Sequence, residues 1–171
     1  MPNTKSEISM VDQFKEFLQV FKALGLQKVD YVLIGGVAVI LHGMERLTRD
    51  IDIIVKMSPE NIHKLRKALQ MLFEDDAIEE ITLPELYKFP VIRYGTPNEF
   101  YIDIMARVGE LANFEDLEYI RIEYQGVKIR IAKPESLFKL KKGSIRDKDR
   151  IDAIFLKKLI DAGKTNKHGH E

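Results

Sequence analysis

Asp50 and Asp52 flank a single isoleucine in the run Thr48-Arg49-Asp50-Ile51-Asp52-Ile53-Ile54-Val55. Alternation of this kind predicts a strand, on which side chains at i and i+2 share a face about 7 Å apart. Two carboxylates held side by side against an apolar core repel each other and lose hydration unless a cation sits with them. A hard divalent ion with oxygen ligands is one such cation, which makes the pair a metal-site candidate. A third carboxylate, Asp103, lies in Phe100-Tyr101-Ile102-Asp103-Ile104, a mostly apolar run that also predicts a strand. Two readings of Asp103 stay open at this level. It is either the ion-pair partner of Arg93 or Arg107, or it joins Asp50 and Asp52 from a neighbouring strand. Three aspartates on two strands fit metal-assisted phosphoryl or nucleotidyl transfer, because Mg²⁺ is often held by one or two carboxylates together with substrate phosphates. The same three would equally serve a structural ion or surface ion pairs.

The elements that must position these residues follow from pattern. Residues 31–34 predict a buried strand, Gly35-Gly36 a turn, and residues 37–41 a short helix ahead of His42-Gly43. Glycines let the backbone approach a ligand closely, and free amides at a helix start suit phosphate. His42 reads as a surface or capping residue. Upstream, Phe14, Phe17, Leu18, Phe21 and Leu24 recur at helical spacing, with Ser9 or Asp12 as cap and Gly25 as stop. Ser58-Pro59 opens a helix whose buried stripe is Ile62, Leu65, Leu69 and Leu72. The acidic run 74–80 reads as a solvated loop or edge, and residues 83–88 as a short helical turn.

Segments 89–94 and 99–105 form a hairpin about Gly95-Thr96-Pro97-Asn98, and segments 118–124 and 127–131 a second one about Gln125-Gly126. Residues 110–117 connect the two as helix or loop. Lys133-Pro134 opens a helix to about Lys142, Gly143-Ser144 interrupts it, and a last helix begins at Arg146 or Asp147. Its apolar positions are Ile151, Ile154, Phe155, Leu159 and Ile160. Residues 164–171 have no apolar anchor and, with the polar start 1–8, are expected to be flexible; His168 and His170 lie in that tail.

Composition bounds the class. A chain of 171 residues with 45% hydrophobic and 32% charged content builds one core, so residues 1–171 read as a single domain whose C-terminal part, 134–162, is helical. The formal net charge is zero, so no global field draws nucleic acid or an anionic membrane, and no basic–aromatic stripe marks an RNA-binding module. Charge is unevenly placed: residues 70–120 hold 12 Asp/Glu against 3 Lys/Arg, and residues 133–171 hold 11 Lys/Arg against 6 Asp/Glu. Two solvated faces, or a cleft with one acidic and one cationic wall, would produce this. Without cysteine there is no disulfide, thiolate zinc site or cysteine nucleophile. No apolar run is long enough to span a membrane, and the opening MPNTKSE lacks a signal-peptide core, so the expected location is the cytoplasm.

Ile34-Gly35-Gly36, then Thr48-Arg49-Asp50-Ile51-Asp52-Ile53, then Tyr101-Ile102-Asp103-Ile104 closely resemble the polymerase-beta-like nucleotidyltransferase superfamily. The family pattern is a hydrophobic-Gly-Gly/Ser motif, an Asp-x-Asp/Glu motif about a dozen residues later and a third carboxylate on a following strand; here 13 residues separate Gly36 from Asp50. The small size is similar to that of minimal members, including AbiEii-like toxin enzymes and the aminoglycoside- or lincosamide-modifying group. Lys139, Arg146 and Lys148-Asp149 followed by Asp152 look like the helical segment after the core in these proteins.

The resemblance implies an α/β fold: a nucleotidyltransferase-type twisted mixed β-sheet, helices mainly on one side, and a helical C-terminal extension. It implies that Asp50 and Asp52 bind Mg²⁺ or Mn²⁺ carrying a nucleoside triphosphate, and that Asp103 binds the catalytic ion and acts as, or positions, the base. Gly35 and Gly36 would set backbone amides against the phosphates, with Arg49 and Lys139 as cationic contacts. Gly36 stands where many members carry serine, so one hydroxyl contact to phosphate is missing. The implied reaction is attack of an acceptor hydroxyl or phosphate on the α-phosphorus of an NTP, releasing pyrophosphate. The acceptor is a small molecule, a protein or an RNA end. The alternative is a non-catalytic nucleotide-binding protein or toxin–antitoxin partner on the same fold, working with a partner protein or as a homodimer. A dinucleotide-binding Rossmann fold is rejected, because the glycines lack GxGxxG spacing.

Overall fold

The computed structural model describes residues 4–142 and 146–168. In chain order these are helix α1 (Thr4–Leu26), strand β1 (Tyr31–Ile34), helix α2 (Gly35–Leu41), strand β2 (Asp50–Val55), helix α3 (Pro59–Phe73) and helix α4 (Leu83–Lys88). They are followed by β3 (Val91–Gly95), β4 (Tyr101–Met105), the short β5 (Arg107–Val108) and β6 (Ala112–Asn113), then β7 (Tyr119–Tyr124), β8 (Val127–Ala132), α5 (Pro134–Lys141) and α6 (Asp147–His168). Six of the described strands form one mixed sheet in the order β3-β4-β2-β1-β8-β7. β2 runs parallel to β4 and β1 parallel to β8; the other neighbours are antiparallel. The architecture is α/β, with helices mostly on one face and α5–α6 as a C-terminal helical extension.

The centre of the sheet is apolar because β1 is covered on both faces. All four of its residues are buried, and the unbroken Tyr-Val-Leu-Ile run is what such a strand requires. Helix α1 packs on α3 and β8 through Phe17, Leu18, Phe21 and Leu24. Phe17 and Phe73 both meet the ring of Phe100 edge-on, at 5.1 and 6.1 Å between centroids. Fully buried Ile51, Ile53, Ile102 and Ile104 point into this layer, so alternation turns Asp50, Asp52, Tyr101 and Asp103 to the other face. Asn61, itself buried, ties the start of β1 to the end of β2 by accepting from the Asp30 amide at 2.7 Å and donating to the Asp30 and Lys56 carbonyls.

Several boundaries differ from expectation for physical reasons. α1 begins at Thr4, so Ser9 and Asp12 lie inside it, and it runs past Gly25 to Leu26. The left-handed residue that follows is Lys28, at φ 55°. Ser58 caps α3 as expected, its Oγ accepting from the Asn61 amide at 3.2 Å. The acidic run is a 3-10 turn, Asp76–Glu80, anchored by buried Ile78. Residues 110–117 contain β6 and a 3-10 turn rather than a longer helix. Gln125 and Gly126, at φ 48° and 80°, make the tight turn of the β7–β8 hairpin.

The last helix carries the main correction. Ile151 and Ile154 are more than half exposed, while Asp149, Asp152 and Leu156 are buried. The inward stripe of α6 is therefore acidic at its start. Its backbone continues beyond residue 163 to His168; Gly143-Ser144, His170 and the side chain of His168 lie outside the described residues.

Candidate active site

Strand register brings the site together. Arg93 on β3, Asp103 on β4, Asp52 on β2 and Ile34 on β1 are consecutive partners across the sheet. In-register neighbours present side chains on the same face, so Arg93, Asp103 and Asp52 stand in one row. Gly95, Tyr101 and Asp50 form the adjacent row. This half of the sheet is open on that face: Val91, Arg93 and Tyr101 are exposed, and Asp50, Asp52, Asp103 and Met105 are half-buried.

Arg93 reaches both outer carboxylates. Its Nη2 lies 3.3 Å from Asp50 Oδ1 and its Nη1 3.6 Å from Asp103 Oδ2. The guanidinium also stacks over the Tyr101 ring, 4.1 Å from the centroid. The ion-pair reading of Asp103 and the reading that places it beside Asp50 and Asp52 are thus both true of its position. The other oxygen, Asp103 Oδ1, is buried with no hydrogen-bond partner. An orphaned carboxylate oxygen costs free energy unless something else meets it.

Asp52 sits deepest in the electrostatic sense. Burial, then the charge of Asp103, a hydrogen bond shared with it and the charge of Asp50 push its carboxyl up to about 7, against a partial opposing effect of the Lys141 ammonium. Gly35 explains part of that burial. It stands at φ 72°, and a Cβ there would come 2.1 Å from Asp52 Oδ2. Any side chain would occupy the space of the carboxylate, so glycine is required on both backbone and packing grounds. Gly36 is close against Thr48 and Arg46: a Cβ would lie 3.0 Å from Thr48 Oγ1 and 3.4 Å from Arg46 Cζ.

A second charge cluster lies beside this row. Asp152 accepts from Arg46, and from Lys141 Nζ at 2.8 Å; Lys141 also lies 3.2 Å from Asp149, which Arg146 Nε meets at 2.6 Å. Asp149 and Asp152 are thus partners of cations, as their position in a charge-rich helix start suggests. Arg46 and Lys141 are not singled out by the motif. The signal for Lys141 is its spacing: four residues after buried Leu137, it shares that inward face of α5. Lys139, two residues earlier, is exposed and lines a different groove, with Leu111, Asp116, Glu118 and Glu135. The structure does not bring it to the aspartates.

Arg49 is exposed and makes no ion pair among the described residues; with Arg46, Thr48, Phe14 and Tyr124 it lines a groove of about 780 Å³ whose wall does not include the three aspartates. His42 Nε2 is 2.8 Å from the Ala132 carbonyl and closes the end of α2, a structural role.

The donor set suits a hard divalent ion, with two half-buried carboxylates in one row, a third in the next row and an unmet oxygen on Asp103. Among the described residues, no group of three or more His, Cys, Asp or Glu side chains is already gathered as a set of ligands. Asp50 and Asp103 instead turn to Arg93.

A mixed sheet carrying an Asp-x-Asp strand, a carboxylate on the neighbouring strand and Gly35 packed on the second aspartate at the start of α2 places the chain in the polymerase-beta-like nucleotidyltransferase superfamily. Within it, residues 10–168 match the family described as "Nucleotidyltransferase of unknown function (DUF6036)", and the chain belongs to that family. Two solved structures share the fold. A lincosamide antibiotic adenylyltransferase, LnuA, solved with lincomycin bound, is 20% identical at a TM-score of 0.54, covering 84% of this chain and 95% of its own. An antigenic nucleotidyltransferase-like protein from Paracoccidioides brasiliensis is 17% identical at a TM-score of 0.56, covering 86% and 77%. Comparison with curated proteins gave no match. No helix among the described residues is long and apolar enough to cross a membrane.

Proposed function

We propose that this chain transfers a nucleoside monophosphate from an NTP to an acceptor hydroxyl or phosphate, with release of pyrophosphate. The observation that carries the reading is the in-register row of Asp52 and Asp103, flanked by Asp50, on the open face of the sheet with Gly35 fitted against Asp52. Asp50, Asp52 and Asp103 would hold Mg²⁺ or Mn²⁺. When bound, the ion would supply charge neutralisation for the triphosphate and a lowered pKa for the attacking oxygen.

The chain's own residues do the rest. Asp50 and Asp52 position the triphosphate from one strand, and Gly35 at the start of α2 lets the backbone come close beside them. Asp103 orients the acceptor from the next strand, and its carboxylate takes the proton a hydroxyl acceptor loses as the new P–O bond forms and the bond to pyrophosphate breaks. Arg49, exposed and one residue before Asp50, and Lys141, whose charge reaches Asp52, are the cations suited to phosphate; Lys139 lines another groove. Rate enhancement comes from positioning and charge rather than covalent participation by the protein. The lincomycin in the LnuA structure makes a hydroxyl-bearing small molecule the first acceptor class to try. A second reading, a nucleotide-binding protein without transferase activity, is favoured by the ungathered carboxylates.

Titration calorimetry with non-hydrolysable ATP and GTP, with and without Mg²⁺, separates these from an unrelated site. Magnesium-dependent binding that disappears in the Asp50→Asn/Asp52→Asn variant supports the carboxylate–ion–triphosphate site. Binding that survives the double substitution puts the nucleotide elsewhere, and absence of binding to the unaltered chain removes the reading.

A further inference from the structure

Arg93 is the residue the reaction does not use. It is on edge strand β3, and its side chain is 52% exposed, yet it is aimed at the two aspartates on either side of the metal-site candidate. A surface arginine with water available has no need of two carboxylates. This one is held there from below by the Tyr101 ring and from the side by register, since Arg93 and Asp103 are directly paired residues. Its two nitrogens contact Asp50 and Asp103, which come from different strands, and so the guanidinium bridges the space between them. A divalent ion ligated by the same two carboxylates would need that space and that charge. An ion that takes Asp50 Oδ1 and Asp103 Oδ2 would displace the guanidinium from those two oxygens.

Resting on the transferase reading of the site, we propose that Arg93 is the site's internal competing cation: it occupies the Asp50–Asp103 gap in the ion-free chain and is displaced from it by a divalent ion, while Tyr101 keeps the freed guanidinium stacked at the rim. Three features of the structure then have one cause. The carboxylates are not gathered as ligands because two of them are turned to Arg93. Asp103 keeps one oxygen unmet because a guanidinium at 3.6 Å engages only the other. The aromatic ring beneath Arg93 gives it a resting place that does not depend on the carboxylates.

The test uses Mn²⁺ alone as probe, with calorimetric titration of the full chain, Arg93→Gln, Arg93→Lys and the Asp50→Asn/Asp52→Asn variant. Removing a unit positive charge about 5 Å from a divalent ion in a water-exposed site tightens the ion by roughly tenfold. Arg93→Gln is therefore expected to bind Mn²⁺ about tenfold more tightly than the unaltered chain. Arg93→Lys, which keeps the charge but cannot bridge, is expected to fall between. Arg93 is half exposed on an edge strand, so the fold survives its replacement; a thermal melt without ion checks this, and added Mn²⁺ is expected to raise the midpoint of Arg93→Gln more than that of the unaltered chain. Equal or weaker Mn²⁺ binding by Arg93→Gln, with binding still lost in the double aspartate variant, overturns the competing-cation role and leaves the transferase reading standing. Failure of both the unaltered chain and Arg93→Gln to bind Mn²⁺ overturns both.

Discussion

On the open face of the sheet two of three carboxylates face one half-exposed guanidinium, whereas at the start of α6 Arg46, Lys141 and Arg146 crowd around two aspartates that are almost wholly buried. Both groups are built from the same residue types and they are neighbours, since the Lys141 charge is felt at Asp52. They differ in completeness. Asp152 is met by two cations and Asp149 by at least two, so neither needs anything beyond the chain. Across the sheet, Asp52 is pushed toward its neutral form and Asp103 has an oxygen with no partner. The cluster on α6 is completed by the chain itself, and the one on the sheet is left short of positive charge.

The largest effect on stability comes from the completed cluster. Asp152→Ala would leave Arg46 and Lys141 partly buried without their shared carboxylate, and breaking a buried pair from one side costs about 3–5 kcal/mol. Urea unfolding at neutral pH checks this, with Asp152→Asn, which keeps the shape and a hydrogen-bond acceptor, expected to lose less. A loss below about 1 kcal/mol would be that of a solvated surface pair and would erase the contrast between the two groups.

The open group should respond with the opposite sign. Asp52 has a folded-state pKa near 7 against an ordinary value of 3.8, so between those values the folded chain holds a proton that the unfolded chain has released. Ion-free stability therefore falls as pH rises from about 4 to about 7 and levels off above. Asp52→Asn removes the charge without changing the shape, and is expected to stabilise the ion-free protein at pH 8 by on the order of 2 kcal/mol. At pH 4, where Asp52 is already protonated in the folded chain, the variant should match the unaltered protein. Thermal melts in chelator at the two pH values decide the matter. Destabilisation at pH 8 would mean that the ion-free site is already satisfied, and the asymmetry would vanish.

The sequence carried the open group more clearly than the closed one, for reasons visible in single residues. Asp50, Asp52 and Asp103 lie in strands whose apolar neighbours alternate, and alternation gives the face without any knowledge of partners. Ser58-Pro59 and Gln125-Gly126 fix a helix start and a turn by local chemistry alone. Asp149 and Asp152 are different. Asp152 is partnered by Arg46, 106 residues before it, and no periodicity reports a contact of that range. Hydrophobic spacing pointed instead to Ile151 and Ile154, which the fold leaves exposed because the acidic stripe occupies the inward face. Arg93 is an intermediate case: its link to Asp103 follows from hairpin pairing, but its second link, to Asp50, needs the parallel β2–β4 contact that only the folded sheet provides.

The smallest expected effect falls on Lys139, and it sharpens the comparison from outside both groups. Family resemblance makes this lysine a triphosphate contact, yet it lies on the exposed side of α5, in a groove with Asp116, Glu118 and Glu135, while Lys141 takes the inward position. A lysine facing water among carboxylates contributes little to folding, so Lys139→Ala should shift stability by less than about 0.5 kcal/mol. For the same reason it should change the magnesium-dependent affinity for a non-hydrolysable NTP by no more than about twofold, since the charge of a solvated lysine is largely screened by water and salt. Calorimetry on this single variant reads both the triphosphate's position and the division of labour along α5. A tenfold loss would put the triphosphate against the outer groove, and the shortage of positive charge around Asp52 would then have to be explained without it.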